Sequence, residues 1–458
     1  MSAVLSSVLG PVLSPSRHED LRLVSGQGRY ASDWNLPGQV YAHMIRSDRP
    51  HATLRSIDVS AMRVAPGVLL VLTAEDAKAA GLSSIATGAP LTDAAGQPQK
   101  TAAMPVLAVE KVHFVGQPIA MVIATSARLA QDASELINID YEELPAVASL
   151  ESALAEGAPQ LHAHVPGNLA LAFEAGNAAA VDAVFAQAKY QTKHGIVSQR
   201  LIGAPMELRA CSASYDAAAD RYAVYTPTQG MLGMRASLAA LSGVAADKIE
   251  VIAQDVGGSF GLRGGTHSEQ VLLMVAAKKL GKPVKWTASR SELFLSDWHG
   301  RALSLEGQMA LDAQGKILAI RFTDTVDLGA FNCYWGAFIG SKNISVTMGG
   351  VYRVPALHMT SRLAFSNTVP VSAYRGAGRP DIAFAIETLL EAAAAEHGFD
   401  AIALRRLNFI PPEAFPYTTA NVTVYDCGEF EKVMDKAGTW YTPPIVTDIF
   451  LLPMKAPQ

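Results

Sequence analysis

Between Lys248 and Thr287 the chain reads as strand, glycine-rich turn, helix and strand, and this succession constrains the fold more than any other stretch. Lys248–Ala253 has the apolar alternation of a strand and runs into Gln254-Asp255-Val256-Gly257-Gly258-Ser259-Phe260-Gly261, followed by Arg263, Gly264 and Gly265. Ser268 is placed to cap a helix that ends at Gly281, and Pro283–Thr287 resumes as strand. Such a unit builds sites: the glycines let backbone N–H groups approach a ligand without a Cβ in the way, and Phe260 offers an apolar wall. The spacing is not G-x-G-x-x-G, since Ser259 stands where the second glycine is required, and no G-x-x-x-x-G-K-[ST] occurs, so nucleotide-binding folds lose support. A plain structural turn is the competing reading of this loop.

A second loop, Ala373–Pro380, reads A-Y-R-G-A-G-R-P. Arg375 and Arg379 are separated only by Gly376, Ala377 and Gly378, so a backbone bend brings two fixed cations toward whatever the loop faces. That suits something charged; the alternative is a solvated basic turn ahead of the helix expected from Asp381 to His397 and stopped by Gly398.

The chain has 458 residues, half of them hydrophobic, which allows about three domains with large cores. Charged residues make up 17% and the net charge is −5, which argues against a nucleic-acid binder with a broad basic surface and against a disordered acidic chain. Cys211, Cys333 and Cys427 lie far apart with no C-x-x-C pair, so any iron–sulfur cluster is expected on another chain. No secretory n-region and no run of about 18 apolar residues is present, so no membrane span and a cytoplasmic location are expected.

From Leu21 to Pro145 short strands alternate with short helices. Gly67–Leu72 reads as a strand, with Thr73 and Asp76 capping a helix stopped by Gly81; Ile119–Ala124 reads as another, with Ser126 capping a helix through Glu135; Ile137, Ile139 and Tyr141 alternate on a third. Ser84–Lys100 has the texture of a long surface loop and Ala146–Pro166 that of a connector. A second domain is expected from about Asn168, with a β-hairpin of Arg301–Leu311 and Lys316–Leu328 across Asp312–Gly315. Gln229, after the strand-like Tyr222–Tyr225, carries an amide that can donate and accept at once. Glu207 and Arg209 suggest a structural ion pair, and His162 and His164 alternate on a possible short strand but are too few to hold a metal.

Taken in order, these pieces resemble the molybdenum-binding large chain of the xanthine dehydrogenase / aldehyde oxidase family, the molybdenum hydroxylases. The resemblance is carried by Arg17–Tyr30 (R-H-E-D-L-R-L-V-S-G-Q-G-R-Y), Leu36-Pro37-Gly38, Arg46-Ser47, Phe114–Pro118, Asp140–Pro145, Pro205–Arg209, Asp255–Gly261, Ala373–Pro380 and Tyr425-Asp426. It implies an α+β chain: an N-terminal extension (1–20), an α/β-hammerhead domain (21–145), a connector (146–167), the first half of a molybdopterin-binding domain (168–437) and a divergent tail (438–458). It also implies a molybdenum–molybdopterin cofactor, the cytosine dinucleotide form being one candidate, with no protein side chain as metal ligand. Gln229 would meet the metal's apical oxo group, Gly258, Ser259, Phe260 and Gly261 would pack beside the metal, and Arg375, Gly376 and Ala377 would lie on its other side.

The chemistry implied is insertion of a water-derived oxygen into an aldehyde or N-heterocycle, with Gln229 and Arg375 at the reaction centre and electrons leaving through an iron–sulfur subunit and an FAD subunit. Copper–molybdenum relatives that oxidise carbon monoxide read A-Y-R-C where this chain has A-Y-R-G, so Gly376 offers no thiolate for copper. The family's catalytic glutamate lies beyond the matched stretch, and neither Glu207 nor Glu387 occupies its place. Gly438–Gln458 departs from the family pattern, so a truncated or frameshifted, non-catalytic remnant is the alternative expectation.

Overall fold

The computed structural model describes residues 17–439; the tail expected to diverge lies outside them apart from its first two residues. A mixed seven-stranded sheet organises the first half. Its spatial order is Ile249–Ile252, Arg221–Tyr225, Ala210–Asp216, Val284–Thr287, Val40–Arg46, Pro118–Ala124 and Val68–Leu72. Most neighbours are antiparallel, but Val40 pairs with Val284 and Tyr222 with Ile249 in parallel register. The first of these joins sheets the N-terminal region to the later strands, so one sheet runs through both.

Alternation explains how the sheet is covered. Val40, Ala42 and Met44 point into the main core with Val271, Leu272 and Ala276 of the helix Ser268–Leu280, whereas Ile45 points to the opposite face with Val71, Ala120 and Val122, under Ala130 and Ala133 of the helix Ala127–Ser134. Every residue of Pro118–Ala124 is buried, as a strand covered on both faces must be.

The second sheet has the order Leu169–Gly176, Ala356–Ala364, Ile317–Asp327, Leu303–Leu311 and Tyr190–Ser198. The 19-residue helix Arg379–His397 lies on it. At the contact, a Cβ on Gly307 would come within 3.0 Å of the Phe322 ring and 3.1 Å of Leu389. A three-stranded sheet (Lys111–Val112, Ala52–Asp58, Asn138–Glu143) and a two-stranded one (Tyr417–Thr418, Val424–Tyr425) complete the strands.

Local signals in the chain account for most elements. Thr73 and Asp76 form a capping box for Ala74–Ala79, the Ser126 hydroxyl accepts from Leu129 N at 3.2 Å, and Asp312 Oδ1 accepts from the amides of Gln314 and Lys316 at 2.9 Å each to close the hairpin. Gly281 and Gly398 end their helices in the left-handed region, φ 60° and 73°.

Four expectations need correction. The cap of the helix Ser268–Leu280 is His267, whose N–H donates to Gln270 Oε1 at 2.8 Å, and Ser268 is already helical. The stretch 84–100 is partly a buried strap: Ile85 pairs with Met104, and Gly88 N donates to Tyr334 O at 2.8 Å. The stretch 146–166 contains the helix Leu150–Leu154 and puts Val147, Leu161 and Val165 in the core. His162 and His164 are not on a strand: the His162 ring stacks on His113 at 4.9 Å and its Nε2 meets Ala330 O at 2.7 Å. No helix among the described residues is long and apolar enough to cross a membrane.

Candidate functional site

The parallel strands Arg221–Tyr225 and Ile249–Ile252 end side by side, with Tyr225 opposite Ile252, so the loops leaving their carboxyl ends emerge together. Binding sites of α/β sheets form at such ends. Thr226 N donates to Ile252 O at 3.1 Å and Gln229 N to Arg263 O at 3.3 Å, which stitches the Thr226–Gly230 turn to the glycine loop. The Ser259 hydroxyl then donates to Gln229 Oε1 at 2.7 Å and accepts from Arg263 N at 3.1 Å. Ser259 is buried and Gln229 exposed, so the serine aims the amide outward. With Oε1 engaged, Gln229 Nε2 has no acceptor among the described residues and is left to donate.

The glycine loop closes against the arginine loop through backbone. Arg375 N donates to Phe260 O at 2.8 Å, and a Cβ at Gly261 (φ +107°) would lie 2.4 Å from Ala373 O, so only glycine permits this approach. Phe260 and Ala377 hold φ of 55° and 51°, where non-glycine residues carry strain. Ala377 is fixed by its N–H to Tyr374 O at 2.7 Å and by Asn343 Nδ2 donating to its carbonyl at 2.5 Å.

Gln229, Gly258–Gly261 and Arg375–Ala377, named separately from the chain, therefore share one continuous surface. Among the described residues the N–H groups of Gly258, Ser259, Phe260 and Gly261 donate to no protein acceptor, and the exposed Arg375 and Arg379 guanidinium groups meet no carboxylate. The surface is rich in unspent donors and positive charge, which suits an oxo- or phosphate-bearing anion.

Carboxylates near these loops are already engaged. Glu207 accepts from Gly257 N at 2.7 Å, Ala31 N at 3.1 Å and Arg263 at 2.7 Å. Asp255 takes both guanidinium nitrogens of Arg22, at 2.7 and 2.6 Å, and Arg29 N at 2.7 Å; the Arg22 bond, then the Arg29 amide, hold its pKa down at about 2. The expected Glu207–Arg209 pair is thus not formed. Arg209 is buried between Glu269 at 2.9 Å and Asp297 at 2.5 Å instead. Burial pushes Glu269 up, yet Arg209 and Arg46 outweigh it and hold it at about 2. Glu387, likewise, accepts from the Tyr352 hydroxyl at 2.7 Å and from Arg405 at 2.9 Å. These carboxylates are structural.

A cavity of ≈ 370 Å³ opens beside the glycine loop, lined by Tyr30, Ser32, Asp33, Met206, Glu207, Leu208 and Gly257. A larger one, ≈ 460 Å³, lies away from these loops beside Tyr41, His43 and Gln131; its cations are internally matched, Lys285 by Ser32 O, Trp34 O and Asn35 Oδ1, and Arg46 by Glu269 and Glu292. The open donors single out the loops rather than the larger cavity.

Two residues that fix the site carried no signal in the chain. Asn343 comes from the turn of π-helix Ile339–Asn343, and Arg301, expected only as the start of a strand, donates to the Arg375 carbonyl at 2.8 Å. A buried Asn and an Arg at positive φ (61°) are recognisable only once the loop they support is seen.

Comparison with known proteins identifies the two regions of the chain. Residues 161–409 match the molybdopterin cofactor-binding domain, and residues 25–145 match the aldehyde oxidase and xanthine dehydrogenase a/b hammerhead domain. The carbon monoxide dehydrogenase large chain of Afipia carboxidovorans is 34% identical over 440 residues, covering 92% of this chain and 52% of that protein. The 6-hydroxypseudooxynicotine dehydrogenase complex subunit gamma of Paenarthrobacter nicotinovorans is 33% identical over 428 residues, covering 91% and 51%. Among solved structures, quinoline 2-oxidoreductase from Pseudomonas putida 86 superposes with a TM-score of 0.85 at 32% identity, over 92% of this chain and 54% of that one. The chain thus spans about half the length of the curated relatives it matches. With its hammerhead and its molybdopterin cofactor-binding region both matched, this chain belongs to the aldehyde oxidase and xanthine dehydrogenase family.

Proposed function

We propose that this chain is the molybdopterin-binding part of a molybdenum hydroxylase, and that the joined loops at Gln229, Gly258–Gly261 and Arg375–Ala377 face its cofactor. The observation that carries the reading is the run of four consecutive unspent N–H groups at 258–261, set beside a free Gln229 amide and the unpaired Arg375. Oxo and phosphate oxygens need such donors, and nothing in the protein competes for them. When bound, the molybdenum pterin supplies the two-electron redox chemistry by which a water-derived oxygen enters an electrophilic carbon.

The residues of this chain bind and orient. Ser259 fixes the Gln229 amide with its N–H atoms outward, Phe260 presents a half-open apolar ring beside it, and Arg375, joined to Phe260 by its own N–H, adds positive charge to the same surface. Glu207, Asp255 and Glu387 are each held by N–H, O–H or guanidinium donors, and none of them is proposed as the general base. Two electrons leave the site for iron–sulfur and FAD partner subunits. Support for partners comes from relatives named as a complex subunit and as a large chain.

Aldehydes and N-heterocycles are the proposed substrates. Gly376 has no thiolate to hold copper, and one similar structure is named for quinoline. Co-production with candidate iron–sulfur and FAD subunits, followed by dye-linked oxidation assays, tests this. Turnover of an aldehyde or N-heterocycle but not carbon monoxide is expected; turnover of carbon monoxide, or of none of the three classes, contradicts it.

A further inference from the structure

Behind the Arg375 loop lies a group of charges that the proposed function leaves unused. Arg301 donates from one nitrogen to Asp381 Oδ2 at 3.1 Å and from another to the Arg375 carbonyl at 2.8 Å, and its guanidinium lies 5.0 Å from the centre of the Tyr374 ring. Asp381, in the first turn of the helix Arg379–His397, accepts from the Ser198 hydroxyl on its other oxygen. Asp324, on the strand Ile317–Asp327, is the contrasting member: it is 0% exposed, neither carboxyl oxygen has a side-chain partner among the described residues, and the donor acting on it is the neighbouring Thr325 amide. From the strands on either side Leu305 and Ser361 stand opposite it, the Ser361 hydroxyl being buried and unpartnered too. From the helix the charged group acting on it is Asp381, and Arg301 is spent on Asp381 and on the loop.

An ionised carboxylate without a cation or donor costs far more in such a place than a neutral acid. We propose that Asp324 is carried as a neutral acid in the sheet beneath the helix that bears Asp381, and that Arg301 and Asp381 are positioning residues that hold the Arg375–Ala377 wall. One charge on Asp381 matches the one on Arg301 and leaves a guanidinium nitrogen for the Arg375 carbonyl. A second carboxylate on the sheet under this helix would repel Asp381, the acid that holds Arg301. The direction of the Asp324 shift agrees: burial, then the charge of Asp381, push it well up, while Asp381 itself is pushed up by burial but opposed by Ser198 and Arg301. The functional meaning of the wall rests on the cofactor reading above; the prop itself does not.

Both halves can be measured on the chain without cofactor. An acid whose pKa is raised on folding takes up a proton as the chain folds, so its contribution to stability falls as pH rises above the unfolded value near 4. The ratio of unfolding constants, wild type over Asp324→Asn, is expected to rise with pH above about 5, by up to about tenfold per pH unit while Asp324 stays neutral in the fold. A ratio independent of pH means that Asp324 is ionised in the fold and overturns the proposal. In native-state hydrogen exchange, the amides of Arg375 and Ala377 are expected to exchange at least about tenfold faster in Arg301→Ala, with Arg301→Lys restoring part of the protection, while the hairpin amides at 303–311 stay unchanged. Equal exchange in wild type and both variants overturns the prop. A chain that keeps this prop yet takes up no molybdenum sinks the cofactor reading alone, so the two failures are distinguishable.

Discussion

The proposed exclusion of copper rests on Gly376, and its backbone explains why a cysteine there would not be a simple exchange. It sits at φ +87°, and a Cβ there would lie 2.3 Å from Pro380 Cγ. Gly376→Cys is expected to lose about 1–3 kcal/mol from the left-handed backbone alone, with Pro380 forced to move as well. Denaturant unfolding checks this; an unchanged midpoint would contradict the close packing of the loop. At this scale the chain alone was informative about which loops come together, because glycines, arginines and a lone glutamine in short ordered motifs are local features. It was misleading about partners. Glu207 and Arg209 are two apart on a chain that turns between them, and each pairs with a residue more than 50 positions away, Arg263 for the first and Glu269 for the second.

At the level of elements, the buried Arg209 ties two helices together. It holds Glu269 at the start of Ser268–Leu280 and Asp297 at the end of Arg290–Ser296. Arg209→Met would leave both carboxylates buried without their shared cation, and a loss of about 3–5 kcal/mol is expected. A loss under about 1 kcal/mol in chemical denaturation would show that Arg46 alone compensates Glu269. Strands and helices such as Pro118–Ala124 and Ala127–Ser134 were legible because alternation and caps act over a few residues. The pairing of Val40 with Val284 was not, since nothing local announces a parallel partner so distant in the chain. The same limit hid His267 as a cap: imidazole is an unusual choice, and its ring is committed to Arg209 and to stacking on Trp298 at 4.2 Å.

For the whole molecule, buried histidines set an acid limit. Burial holds His113 and His267 down at about 3 and His299 at about 4, so all three are neutral in the fold. Unfolded histidine titrates near 6.5, hence below that pH the unfolded chain binds more protons and stability falls, each group adding a slope of about 1.4 kcal/mol per pH unit down to its folded value. The melting temperature is expected to drop steadily from pH 6.5 to 4.5; a flat profile would show that these imidazoles are protonated in place. The most direct test of the central claim is the molybdenum content per chain of protein co-produced with candidate partner subunits in a host that makes the pterin, wild type against Arg375→Glu. Near-stoichiometric molybdenum in the wild type and a loss of at least about tenfold in the variant is the predicted result; equal molybdenum in both, or none in the wild type under any pairing, would contradict the assignment of these loops to the cofactor.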